Sequence, residues 1–91
     1  MTTTITYSAM SSDQTRHTAH WATDPLGGWV VSWLPGRRMG RVLAITAMTL
    51  AEVAATRDLS PEHDLWPHVE GWAAELGLTA QQAVDRLAEV A

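Results

Sequence analysis

Three arginines fall within five residues of a 91-residue chain: Arg37, Arg38 and Arg41, in the run "WVVSWLPGRRMGR" at 29–41. A guanidinium group offers a fixed fork of donors that matches carboxylates and phosphates. The three stand where a helix is expected to begin. First-turn N–H groups of a helix have no partner within it, and the positive end of its dipole points the same way. No Ser, Thr, Asp or Asn is placed to cap that start, and Gly36 and Gly40 permit close approach to the backbone. Such a corner suits an anion: a phosphate, a nucleic-acid backbone or the carboxylates of a partner protein. Trp29, at the head of the run, is expected to border it as an exposed tryptophan. Two other uses compete. The arginines could pair with acidic residues of the same chain, Glu52 among them, or close a contact in a homodimer.

Other chemistry is thinner. The four histidines are His17, His20, His63 and His68. On a strand, His17 and His20 would point to opposite faces. No His-Glu-x-x-His or similar ligand spacing occurs, so half-exposed surface histidines are expected and no metal. The chain has no cysteine, which excludes disulfides, thiolate zinc sites and thiol nucleophiles. It lacks Gly-x-Ser-x-Gly and any phosphate-cradling glycine loop. Ser32 reads as a buried hydroxyl with a backbone partner. Glu62 and Asp64 read as first-turn carboxylates favoured by a helix dipole. No enzyme activity and no cofactor is expected.

The elements that must position the arginines can be read from spacing. Residues 1–14 are rich in Thr and Ser and read as a tail or a short strand; 15–91 read as one domain. "DPLGG" is a turn, with Pro25 fixing φ and Gly27 and Gly28 free to take φ > 0. It joins strands at 15–23 and 29–34 into an antiparallel hairpin. In "WVVSWL", Trp29, Val31 and Trp33 alternate with Val30, Ser32 and Leu34, and Pro35-Gly36 ends the strand. From about Met39 to Thr56, Leu43, Ala47, Leu50 and Ala54 form an apolar stripe flanked by Ile45, Met48 and Val53. Arg41, Thr49, Glu52 and Thr56 form a narrow polar stripe, so this helix is largely buried. Ser60-Pro61 opens a short turn at 61–65. Pro67 delays the next helix to about 66–76, with Val69, Trp72, Ala73 and Leu76 inward. Gly77 closes it. Thr79 and Gln82 form a capping box for a last helix at 80–90, which buries Ala83, Val84, Leu87 and Val90. The fold class is α+β: a hairpin, or three strands if the N-terminus joins it, packed on three helices in the order (β)ββααα. Trp33, Leu50 and Trp72 are expected to meet in the core.

Charge is uneven. The net charge is −4. Residues 1–49 hold Arg16, Arg37, Arg38 and Arg41 against Asp13 and Asp24, whereas residues 50–91 hold two arginines against eight carboxylates. The acidic half repels phosphate and favours basic protein partners. "VLAITAMTLAEVAA" is too short and too polar to span a membrane. The N-terminus has no secretory pattern, and a cytoplasmic location is expected.

Two resemblances follow from the residues. "HVEGWAAELGLTAQQAVDRLAEVA" resembles a helix-turn-helix DNA reader, with "AAELGLT" at its turn. Counted from Thr79, the apolar Val84 falls one residue late for the usual second helix, and Asp85 and Glu89 oppose docking on phosphate. "WVVSWLPGRRMGRVLAITAMTLAE" looks like the central block of a family of small actinobacterial and actinophage proteins. That likeness implies a bacterial or phage setting and that strand, loop and helix form one unit; it carries over no activity. The expected function is a small interaction module binding a protein or an anion through Arg37, Arg38 and Arg41. The alternative is a DNA-binding accessory regulator using the hairpin and loop, or the segment 66–90.

Overall fold

The structure, a computed structural model, describes residues 3–6, 8–22 and 27–89. The Pro25 turn and Val90 lie outside the described residues. Four antiparallel strands form one meander in sequence order: β1 (Thr3–Ile5), β2 (Ala9–Ser12), β3 (Ala19–Trp21) and β4 (Trp29–Val31). Three helices follow: α1 (Arg41–Thr56), α2 (Trp66–Glu75) and α3 (Ala80–Glu89). The α+β class and the element order are as the sequence predicts, but there are four strands rather than two or three.

The extra pair comes from the Thr- and Ser-rich N-terminus. A strand buried on one face needs few apolar residues, because alternate positions face solvent. Register supplies the rest. Ile5 opposes Met10, Met10 opposes Ala19, and Ala19 opposes Val31. This row crosses the sheet on the side that meets the helices, with Met10, Ala19 and Val31 buried. The row of Ala9, His20 and Val30 lies on the outer face, where Ala9 and His20 are exposed.

β4 stops at Val31, three residues earlier than the alternation predicts. The Leu34 N–H donates to the Val31 carbonyl at 2.9 Å, which rolls the chain out of the sheet. Trp33 and Leu34 thereby both turn inward, at 1% and 0% exposure. The Trp33 indole N–H needs an acceptor there and donates to the Ala47 carbonyl of α1 at 3.2 Å. A second turn follows: the Arg37 N–H donates to the Leu34 carbonyl at 3.4 Å across Pro35 and Gly36, with Gly36 at φ +80°. Proline then a positive-φ glycine is the pattern of a type II turn. The chain returns beside β4, where Trp29 and Met39 exchange backbone hydrogen bonds of 2.8 and 3.1 Å.

α1 lies against the sheet and buries Ala44, Ala47, Met48, Leu50, Ala51 and Val53. Its alanines let strand and helix neighbours approach closely. Glu52, placed on the polar stripe by the sequence, is buried as well, while Val42 is 74% exposed. Trp33 and Leu50 share the core, and Trp72 packs at its margin, partly buried. α2 ends as expected at Gly77, with φ +75°. The Gly77 N–H bonds the Ala74 carbonyl at 3.0 Å and the Leu78 N–H bonds the Ala73 carbonyl at 2.9 Å, a Schellman closure. α3 starts with the capping box read from sequence. Thr79 Oγ1 accepts from the Gln82 N–H at 3.1 Å, and Gln82 Oε1 accepts from the Thr79 N–H at 2.9 Å.

Candidate binding surface

The type II turn and the Trp29–Met39 pairing fix residues 34–40 on both sides. The three arginines project from this clipped loop, all exposed, but in different directions. Arg37 reaches the helical layer, where its Nη2 donates to the Leu76 carbonyl at 2.6 Å. Arg38 reaches back to the hairpin, where its Nη1 donates to the Gly27 carbonyl at 2.8 Å. The Arg41 guanidinium carbon stands 6.0 Å from the centre of the Trp29 ring, at cation–π range. The partners in these contacts are two backbone carbonyls and an indole face. Glu52 lies three turns along α1 from Arg41, about 16 Å by helix rise.

Trp29 is not a surface residue, as the sequence reading had it: it is 2% exposed. The reason is its register with Val31 on the helix-facing side of β4, under the Arg41 side chain. Its cross-strand partner Trp21 takes the surface position, 45% exposed. The two rings meet edge to face with centroids 6.2 Å apart. A side chain at Gly27 would start 3.1 Å from the Trp21 ring, so this glycine lets the indole lie over the turn. Trp21, Arg38 and Arg41 thus form a chain of contacts around Gly27 and Trp29, with Val42 next to Arg41 in the sequence.

α1 begins here without a cap. Gly40 is extended and provides no side-chain bond, and the first turn holds no acidic residue. The N–H groups of this turn therefore have no side-chain cap among the described residues, and Arg38 and Arg41 stand beside them in the chain.

A second polar contact was not legible as such. His17 Nδ1 and Ser32 Oγ are 3.0 Å apart, and Ser32 Oγ accepts the Thr18 N–H at 3.0 Å. Ser32 has the expected backbone partner but is exposed; His17, expected half-exposed, is the buried member at 6%. Continuation of the β3–β4 pairing explains the encounter, since the Ser32 N–H bonds the Thr18 carbonyl at 2.9 Å. Register is the one signal that could have found the pair. Burial, and then the charge of Arg16, lowers the His17 pKa below its ordinary value.

The remaining histidines do structural work or face water. His63 Nδ1 accepts the Leu65 N–H at 3.0 Å in the turn before α2, and His68 stacks on Trp72 at 6.0 Å. Among the described residues no three His, Asp or Glu side chains gather as a metal site would require. No helix among them is long and apolar enough to cross a membrane. α2 and α3 are joined across Leu76–Thr79, and α3 carries Asp85 and Glu89 alongside Arg86. Compared with known proteins, the chain matches no protein-family model, no curated protein and no solved structure.

Proposed function

We propose that the protein is a non-enzymatic interaction module that binds an acidic segment of a partner protein through the corner around the start of α1. One observation carries this reading: two exposed guanidinium groups, Arg38 and Arg41, flank an uncapped helix start beside the exposed Trp21 and Val42. Arginine and tryptophan are the residues that most often dominate binding energy at interfaces. The uncapped N–H groups and the guanidinium forks favour carboxylates, and the apolar pair favours a hydrophobic residue among them. Arg37 belongs to the frame of this surface, because its guanidinium closes the end of α2. The likeness of residues 29–52 to small actinobacterial and phage proteins supports a cytoplasmic bacterial or phage setting.

The test is a capture experiment with the full chain, comparing wild type with Arg38→Gln/Arg41→Gln. Wild type should retain a partner whose binding weakens as salt rises, and the double variant should lose it with an unchanged melt. A double variant that keeps the partner would overturn this site. Duplex DNA is the second reading, on the likeness of residues 68–91 to a helix-turn-helix reader. Labelled duplex titrated at low salt separates the two: saturable binding that falls steeply with salt supports DNA, and none there removes it.

A further inference from the structure

We infer that a groove at the opposite end of α1 binds a small monocarboxylate with an apolar body, received by Nε2 of His17 and the guanidinium of Arg16. The groove runs between the loop before β3, the C-terminal half of α1 and the face of α3. Its volume is about 370 Å³, within the span of small-molecule sites, which run from about 300 to 1,000 Å³. Ala54, Leu59, Val84 and Leu87 provide an apolar lining. It lies roughly 20 Å along α1 from the arginine corner, so it is separate from the surface proposed above.

His17 is the observation that points to a ligand. Its side chain is 94% buried, since 6% is exposed, and it lines the groove. Nδ1 is engaged by Ser32 Oγ. That hydroxyl accepts the Thr18 N–H and can donate its own proton to Nδ1; in that tautomer, and in the imidazolium, Nε2 carries a hydrogen. Among the described residues Nε2 meets no protein acceptor, yet no fully buried polar atom is left unsatisfied. Nε2 therefore opens to the groove. Water can meet this N–H in the open groove, and a ligand acceptor can take its place.

The charges at the rim select the acceptor. The ionisable groups facing the groove besides His17 are Arg16, Arg57 and Asp58. Arg57 also donates to Thr56 Oγ1 at 3.2 Å. Arg16, next to His17 in the sequence, brings a guanidinium group to this groove. A carboxylate has two oxygens, one for the His17 N–H and one for Arg16. Gln14 and Thr15 also line the groove.

The test uses octanoate and phenylacetate as probes, one linear body and one compact body, titrated into the full-length protein and followed by NMR. Saturable shifts of the His17 ring and of the Leu59, Val84 and Leu87 methyls are expected with at least one acid. The corresponding alcohol should bind at least tenfold more weakly. The bound acid should also raise the midpoint of His17 titration, because the anion favours the imidazolium. His17→Phe should weaken binding at least tenfold, while Arg38→Gln should leave it unchanged, which separates this site from the arginine corner. The His17 midpoint in wild type is the readout that does not depend on the variant folding. Absence of saturable shifts with both acids, equal binding of the alcohol, or a His17 midpoint that stays fixed at saturation would each overturn the inference.

Discussion

Arg37→Gln should cost more stability than Arg38→Gln and Arg41→Gln, although all three arginines are exposed. The last carbonyls of a helix have no partner within it. At the end of α2 the Schellman closure takes up Ala73 and Ala74, and the Leu76 carbonyl is taken by Arg37 at 2.6 Å. A hydrogen bond with one charged partner contributes about 1.5–3 kcal/mol. Water reaches an exposed guanidinium and can hydrate the freed carbonyl, so the low end, about 1.5 kcal/mol, is expected. In a domain of this size each kcal/mol moves the melting midpoint by about 4–8 °C, which places the shift near 6–12 °C. The Arg38 and Arg41 variants should stay within about 1 kcal/mol. Far-UV circular dichroism melts of the three single variants measure this directly. Arg37→Gln with the wild-type midpoint, or an Arg41 variant that loses more, would show that the Leu76 contact does not hold the helices. The same reasoning fixes the design of the binding test: a variant lacking all three arginines would confuse lost recognition with a loosened α2.

Gly77→Ala should destabilise by about 1–2 kcal/mol, because its φ of +75° is a left-handed conformation. Gly71→Ala, inside α2 with open space around the new methyl, should stabilise by about 0.5–1 kcal/mol; paired chemical denaturations check both signs. Trp33→Ala should cost about 3–5 kcal/mol, and Trp72→Ala clearly less because Trp72 is only partly buried, as comparative melts would show. Burial holds the His17 pKa below its ordinary value, so its neutral form is favoured in the folded state. Its contribution is complete above the unfolded value of about 6.5 and is lost as pH falls below that toward the folded value. His17→Gln should therefore flatten the decline in melting temperature on acidification from neutral pH, and an unchanged pH profile would contradict it.

Helices were legible because their signals are local. The spacing of Ala47, Leu50 and Val53, the halt at Gly77 and the Thr79–Gln82 capping box each lie within one or two turns of chain. The first two strands were not, because Thr3–Ile5 and Ala9–Ser12 hold few apolar residues, and only register across the sheet shows that Met10 faces inward. The early end of β4 was hidden for a related reason. Alternation in "WVVSWL" is compatible with a strand to Leu34, but a tryptophan that must satisfy its N–H on α1 turns the chain at Val31. At the candidate site the arginines and the uncapped helix start were readable, since both follow from residue type. Which tryptophan is exposed was not, because Trp21 and Trp29 are cross-strand partners and only the position of α1 decides which one it covers. The His17–Ser32 contact, fifteen residues apart, depends on the same register.

The arginine loop differs from an ordinary exposed loop in how little freedom it retains. Between Leu34 and Gly40 it is tied by the turn at Gly36, the paired Trp29–Met39 backbone, the Arg37 bond to α2 and the Arg38 bond to the hairpin. Binding by a mobile loop loses about 0.5–1.5 kcal/mol for each long side chain that must be ordered. Here part of that ordering is already present in the fold: Arg37 and Arg38 each bond a backbone carbonyl, and Arg41 lies over the Trp29 ring. A guanidinium has five donors, so one bond to the fold does not exhaust it. Internal pairing and external recognition, which the sequence presents as rival uses of these arginines, are compatible in this geometry. The internal contacts hold Arg38 at the hairpin and Arg41 over Trp29, both beside the uncapped start of α1, which is the arrangement the proposed recognition of an acidic segment requires.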